Sequence, residues 1–358
     1  MTSLQSFQTL PPAPYTERVP PDNALASALS EVAHMQLRDQ MRTLLNQKLD
    51  RLPLPGAGRT LERWKALSLV SRHSLSLAKL YEGHTDAIAI LRELGHENHG
   101  EPSVWAMWAA EEPGKRVVIE RVGSSSDITL SGTKSWCSGA MDADNALLTA
   151  WFPDQQHSQL VAVAMNHPHI SISTDRWHAV GMADTQSAEV RFQSTPATLI
   201  GLPGDYLNRR GFWHGGAGVA ACWYGGTLAV ADALLSSVKG MSHDHPGIAY
   251  RSASLGQIDW TLATVGALLR ESAAWIDAHP DENAMALALR LRQAAGAAAN
   301  DVLIETGRAL GATPFCREPS FARAAADLPV FIRQSHGDRD DAALAKAVIA
   351  NKAYPWAL

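Results

Sequence analysis

The sequence predicts an α+β multidomain fold in which helical segments flank a β-sheet domain. Three observations carry this. Helical periodicity covers residues 60–94, six short β-prone runs crowd into residues 117–192, and helical periodicity returns after Gly204. A chain of 358 residues also exceeds what one hydrophobic core usually organises. The boundaries expected are 1–100 for an N-terminal helical domain, 101–203 for a middle antiparallel β-sandwich or small barrel, and 204–358 for a C-terminal four-helix bundle.

The elements follow in order. The first 20 residues are proline-rich and unpatterned, and Leu52-Pro-Leu-Pro-Gly-Ala-Gly-Arg59 is a second stretch that neither helix nor strand tolerates. Between that stretch and Gly95, a natural stop, Leu77, Leu80, Ile88 and Leu91 recur at threes and fours. The β-prone runs begin at Val117, Ile128, Ala146, Leu160, Ile170 and Ala188, separated by Gly, Ser, Asp, Asn and Pro. No helical pattern lies between them, which argues against a parallel α/β sheet and against a Rossmann domain. Beyond Gly204, Leu255, Ile258, Leu262, Val265, Leu269, Ala273 and Ile276 mark one face of a long helix that His279-Pro280 breaks. An Ala-rich helix from about Ala284 to Leu310 follows, ended by Gly311.

Composition narrows the function classes. Hydrophobic residues make up 46% and charged ones 19%, so the chain is globular and not disordered. A net charge of -5 without a basic run gives no electrostatic reason to expect nucleic acid or an anionic membrane. Cys137, Cys222 and Cys316 lack the spacing of a zinc site or a disulfide framework, and read as reduced thiols. No signal peptide and no window of about 18 uninterrupted apolar residues is visible, so a cytoplasmic protein acting on a small molecule is expected, with no membrane partner and no metal.

Two segments carry chemistry. One reads Leu130-Ser-Gly-Thr-Lys-Ser-Trp136-Cys-Ser138-Gly-Ala140. An indole two residues from a hydroxyl, on a strand kept narrow by Gly132 and Gly139, can cover a flat aromatic ring and donate a hydrogen bond at its edge. The spacing of two puts Trp136 and Ser138 on one face of one strand. The competing reading is a strand whose Trp only fills core. The other segment is Val180-Gly-Met-Ala-Asp-Thr-Gln-Ser-Ala-Glu-Val-Arg-Phe192.

Together these segments resemble two motifs of the acyl-CoA dehydrogenase superfamily of flavoproteins, in matching order and separation. The resemblance extends over about residues 60–345. It implies the acyl-CoA dehydrogenase-like fold, FAD as cofactor, a homodimer or homotetramer, and an acyl thioester or similar small substrate such as an acyl-CoA. It implies that Trp136 packs on the flavin and Ser138 bonds near its N5. Glu111-Glu-Pro-Gly114 resembles the loop that meets the flavin pyrimidine edge, with Ala109 and Ala110 as backbone contacts and Glu111 where a Thr is usual. Arg251, in Tyr250-Arg-Ser-Ala-Ser-Leu-Gly256, resembles the arginine that holds the flavin diphosphate, and Gly311 resembles the adenine contact.

The sequence also departs from the pattern. Proton abstraction beside a thioester needs a base, and family members use a Glu near the C-terminus or on the first bundle helix. Here His336 and the Trp213-His214-Gly215 stretch stand at those places, so His336 and His214 are the candidate catalytic residues, each weighed against a loop or packing role. Flavin-dependent monooxygenases of the same fold also lack that Glu, which leaves a monooxygenase, or a non-catalytic scaffold, as the alternatives to a dehydrogenase. Gly215-Gly-Ala-Gly218 follows no buried strand and reads as close helix packing, not as a phosphate loop.

Overall fold

The computed structural model describes residues 22–96, 102–122, 127–351 and Trp356. The proline-rich start and the boundary expected near residue 100 lie outside them. Among the described residues four helices come first: α1 (Asp22–Val32), α2 (Leu37–Asn46), α3 (Thr60–His73) and α4 (Leu75–Glu93). Seven strands follow: β1 (Trp105–Trp108), β2 (Val117–Arg121), β3 (Ile128–Cys137), β4 (Asn145–Ala150), β5 (Gln159–Ala164), β6 (Ile170–Ser173) and β7 (Ala188–Ile200). The described elements after β7 are helices, α5 (Asp205–Asn208), α6 (Gly211–Lys239), α7 (Ile248–Ala278), α8 (Met285–Leu310), α9 (Thr313–Arg317), α10 (Pro319–Phe331) and α11 (Asp338–Ala350).

Contacts divide the chain into two units. One holds residues up to 53, 79–179 and 183–212, and the other holds 54–78, 180–182 and the chain from 213.

In the first unit the strands run in the order β1-β4-β5-β7-β3-β2, with β6 beside β7. The sheet is mixed, which corrects the expectation of an antiparallel one: β1 pairs with β4 in parallel, and the other ladders are antiparallel. Trp151, just past β4, exchanges backbone hydrogen bonds with Val117 and Ile119 of β2, so the path closes on itself as a small barrel. Its interior is filled by Val117, Ile119, Leu130, Leu148, Val161 and Phe192, among others. Alternation turns Leu147, Leu160 and Ala162 the other way, onto Ala87, Ile90 and Leu91 of α4. Strands β4 and β5 are therefore apolar on both faces, which is why they read as continuous runs. Gly132, at φ +125, sits where a Cβ would meet the Arg116 carbonyl oxygen at 2.2 Å, so a side chain there would push β2 away.

In the second unit α6 lies against α3. A Cβ at Gly225 would fall 2.1 Å from the Ser68 carbonyl oxygen, so the small residues of α6 do permit close helix approach. Ile258, Val265, Leu269, Ala273 and Ile276 of the predicted stripe are buried on α7, and α8 ends at Gly311, as its sequence required. The Asp277 carboxylate of α7 accepts hydrogen bonds from the Gly58 and Thr60 backbone N–H groups and from the Thr60 hydroxyl (2.6 Å), capping α3 from a distance of 217 residues in sequence. Among the described residues α6 is the one helix long and apolar enough to cross a membrane, and 61% of its apolar window is buried within the protein.

Candidate functional site

Trp136 does not stand where alternation along β3 would put it. Lys134 pairs with Val190 and Cys137 with Ala188, so β3 carries one extra residue against β7 and bulges there. Trp136 takes the left-handed conformation, φ +62, and its side chain is turned outward, 58% exposed, between buried Ser135 and Cys137. A left-handed bulky residue is a strained position, and such strain concentrates at functional sites. The strand ends at Cys137, so Ser138 follows the strand and does not lie on it with Trp136, as the spacing argument had placed it.

Ser138 sits in a fixed frame. Its carbonyl accepts from the buried Trp108 indole N–H (3.1 Å), and the next backbone N–H, of Gly139, donates to the Thr185 carbonyl (2.9 Å). Its hydroxyl meets the Ser187 hydroxyl at 2.7 Å, which in turn meets the Thr185 hydroxyl at 3.1 Å. Thr185 is buried, whereas Ser138 and Ser187 are half-buried, so the three hydroxyls form a chain from the interior toward Ser138.

Below the bulge lies a buried ammonium. Lys134, 2% exposed, donates to the Glu111 carboxylate (2.7 Å), the Thr149 hydroxyl (2.8 Å) and the Thr149 carbonyl (3.1 Å), which uses all three of its protons. Burial pulls its pKa below the ordinary lysine value, and the Glu111 charge opposes that pull. The same Glu111 oxygen accepts from the Thr149 hydroxyl at 2.6 Å. The Glu111 side chain thus ties the 109–114 loop to β3 and β4, with Ala109 half-buried and Ala110 exposed beside it. Next to Ser135, Lys115 bonds Glu189 and pairs with Glu112, and Arg176 joins both carboxylates. Hydrogen bonding from Ser135 leads the effects that hold Glu112 below the usual carboxylate range, and Lys115 does the same for Glu189.

The remaining candidates belong to the second unit. His214, on α6, is 2% exposed, and its ring lies against Gly56, where a Cβ would meet Nδ1 at 2.8 Å. His336 is exposed in the turn before α11; its backbone N–H donates to Asp340 (3.0 Å), and its Nδ1 is 4.0 Å from the same carboxylate. Arg251, in the first turn of α7, donates to the Ser237 hydroxyl at 2.7 Å. Gly311 caps α8 at φ +69. A cavity of about 290 Å³ between the end of α7 and the start of α8, lined by Leu268, Ser272, Trp275, Leu287 and Arg290, contains none of the candidates.

The site residues in the first unit fit a flavin. An isoalloxazine needs a flat apolar cover and a polar group at its edge, and Trp136 offers an exposed indole two residues before the framed hydroxyl of Ser138. Lys134, Thr149, Thr185 and Ser187 were not singled out from sequence. Thr149 is an ordinary strand residue, and Thr185 and Ser187 lie in the short turn and link before β7, so none of these hydroxyls carries a signal until the register is known.

Helices around a mixed sheet match an acyl-CoA dehydrogenase-like fold in general. No family model matches the chain, and no curated protein matches it by sequence. Among solved structures it resembles KijD3 in complex with FMN and a dTDP-linked amino-keto sugar, with TM-score 0.76 and 15% identity over 94% of this chain and 95% of that one. TdsC from Paenibacillus sp. A11-2, with FMN and indole, gives TM-score 0.76 and 16% identity over 93% and 98%; TdsC is a dibenzothiophene monooxygenase. A probable acyl-CoA dehydrogenase from Mycobacterium abscessus gives TM-score 0.72 and 16% identity over 91% and 98%.

Proposed function

We propose that the chain is a flavin-dependent oxidoreductase of the monooxygenase type, binding FMN and acting on a small organic substrate with oxygen. The observation that carries the reading is Trp136, a left-handed and exposed indole two residues before the framed Ser138 hydroxyl. Bound flavin supplies the redox chemistry. Trp136 would cover its ring, Ser138 would bond near its N5, and the backbone at Ala109 and Ala110 would meet its pyrimidine edge. The Glu111 side chain positions that backbone through Lys134 and Thr149.

FMN in place of the FAD expected from sequence is supported by the FMN-bound structures of the same fold. Monooxygenation in place of thioester dehydrogenation is supported by the carboxylates. Positions 214 and 336 carry histidines, and Glu111 is committed to Lys134 and Thr149. A cytoplasmic homodimer or homotetramer, built from helical, β and helical domains divided near residues 100 and 203, belongs to the same proposal.

Anaerobic titration of the purified protein with oxidised and reduced FMN and FAD, followed by a panel of acyl-CoAs, tests it. Tighter binding of FMN than of FAD, and no bleaching by acyl-CoAs, is expected. Binding of neither flavin, or fast bleaching by an acyl-CoA, overturns it.

A further inference from the structure

The hydroxyl chain behind Ser138 bears on which redox state the site accepts, an inference that rests on the flavin reading of that site. Oxidised flavin presents a lone pair at N5, whereas reduced flavin presents an N–H there. A backbone N–H at that edge could serve only the first, and a carbonyl only the second. A hydroxyl has one proton and two acceptor lone pairs, so it can serve both, provided something behind it accepts its proton when it turns inward. Ser187 lies at 2.7 Å from the Ser138 hydroxyl, and buried Thr185 lies at 3.1 Å from Ser187. The backbone is pinned on either side by Trp108 and by the Gly139 to Thr185 bond, so reversal requires only rotation of hydroxyl protons.

We propose that Ser187 is a positioning residue that lets Ser138 bond a flavin in both redox states. With oxidised flavin, Ser138 donates outward and accepts from Ser187. With reduced flavin, Ser138 accepts from N5–H and donates to Ser187, which passes its own proton toward Thr185. Every hydroxyl in the pair stays bonded in either direction. Ser187→Ala removes the acceptor that only the second arrangement needs, and stranding one hydroxyl proton costs more than losing a neighbouring donor.

The experiment measures dissociation constants of oxidised and reduced FMN, and the midpoint potential of the bound flavin, for the unaltered protein, Ser187→Ala and Ser187→Thr. Ser187→Ala is expected to change oxidised FMN binding by about twofold or less and to weaken reduced FMN about 5–10-fold. The bound flavin then becomes harder to reduce, by about 20–30 mV for a two-electron couple. Ser187→Thr keeps a hydroxyl and restores the ratio. In a Ser138→Ala background, Ser187→Ala has no further redox-selective effect. Equal weakening of both forms by Ser187→Ala, or an unchanged potential, overturns the proposal while leaving the flavin reading intact. Failure of the unaltered protein to bind either form sinks both.

Discussion

Glu111→Ala and Lys134→Met remove the two ends of one ion pair, yet they should cost very different amounts. Lys134 is 2% exposed and the Glu111 side chain 37%, so the pair has one dry end and one wet end. Glu111→Ala leaves a buried ammonium with only Thr149 to satisfy it. Breaking a fully buried pair costs about 3–5 kcal/mol, and the access of water on the Glu111 side reduces this to about 2–3 kcal/mol. Lys134→Met removes the buried charge itself and keeps the 2.6 Å bond from Thr149 to Glu111, so about 1 kcal/mol or less is expected. In urea unfolding the first variant should lose about 1 M in midpoint, and the second a third of that or less. Alkali sharpens the contrast. Burial already holds folded Lys134 below the usual 10.5, and loss of Glu111 lowers it further. The unfolded chain then binds more protons than the folded one between those values, so Glu111→Ala should regain stability as pH rises through that window. Equal losses in the two variants, or a Glu111→Ala stability that falls on approach to pH about 10, would refute the reasoning.

Trp136→Gly should weaken FMN binding by about 1–3 kcal/mol by loss of the stacked ring. Its folding stability should be unchanged or slightly higher by thermal melt, because glycine relieves the left-handed backbone. Asp277→Ala should lower unfolding free energy by about 1–2 kcal/mol, because three bonds capping α3 go with it; a loss below about 0.5 would show the cap idle. Gly225→Ala should cost about 1–3 kcal/mol or more, read by denaturant titration, since its Cβ must displace α3 at Ser68. His336→Ala, altering an exposed turn residue, should lower turnover by less than about threefold in a steady-state assay, whereas a residue serving as base would cost about 100-fold.

Periodicity made much of the fold legible. The buried face of α7 and the Gly311 end of α8 stand where spacing placed them, and the six β-prone runs all became strands. Strand β1 was missed because Trp-Ala-Met-Trp is only four residues long and buried on both sides, so it shows no alternation. The parallel pairing of β1 with β4 is a tertiary choice with no local signal. At the site, the motif singled out Trp136 and Ser138, but the bulge between Lys134 and Cys137 depends on the register of β7. The role of Ser187 depends on that register as well.

The division of the chain between its units has a consequence for synthesis. Helix α3 ends at His73, but α6, α7 and the Asp277 that caps it come from residue 211 onward. As the chain leaves the ribosome, α3 waits through the whole sheet for its partners, so the second unit can assemble only after α6 and α7 have been made. A fragment stopped at residue 212 keeps every strand and should still aggregate through α3.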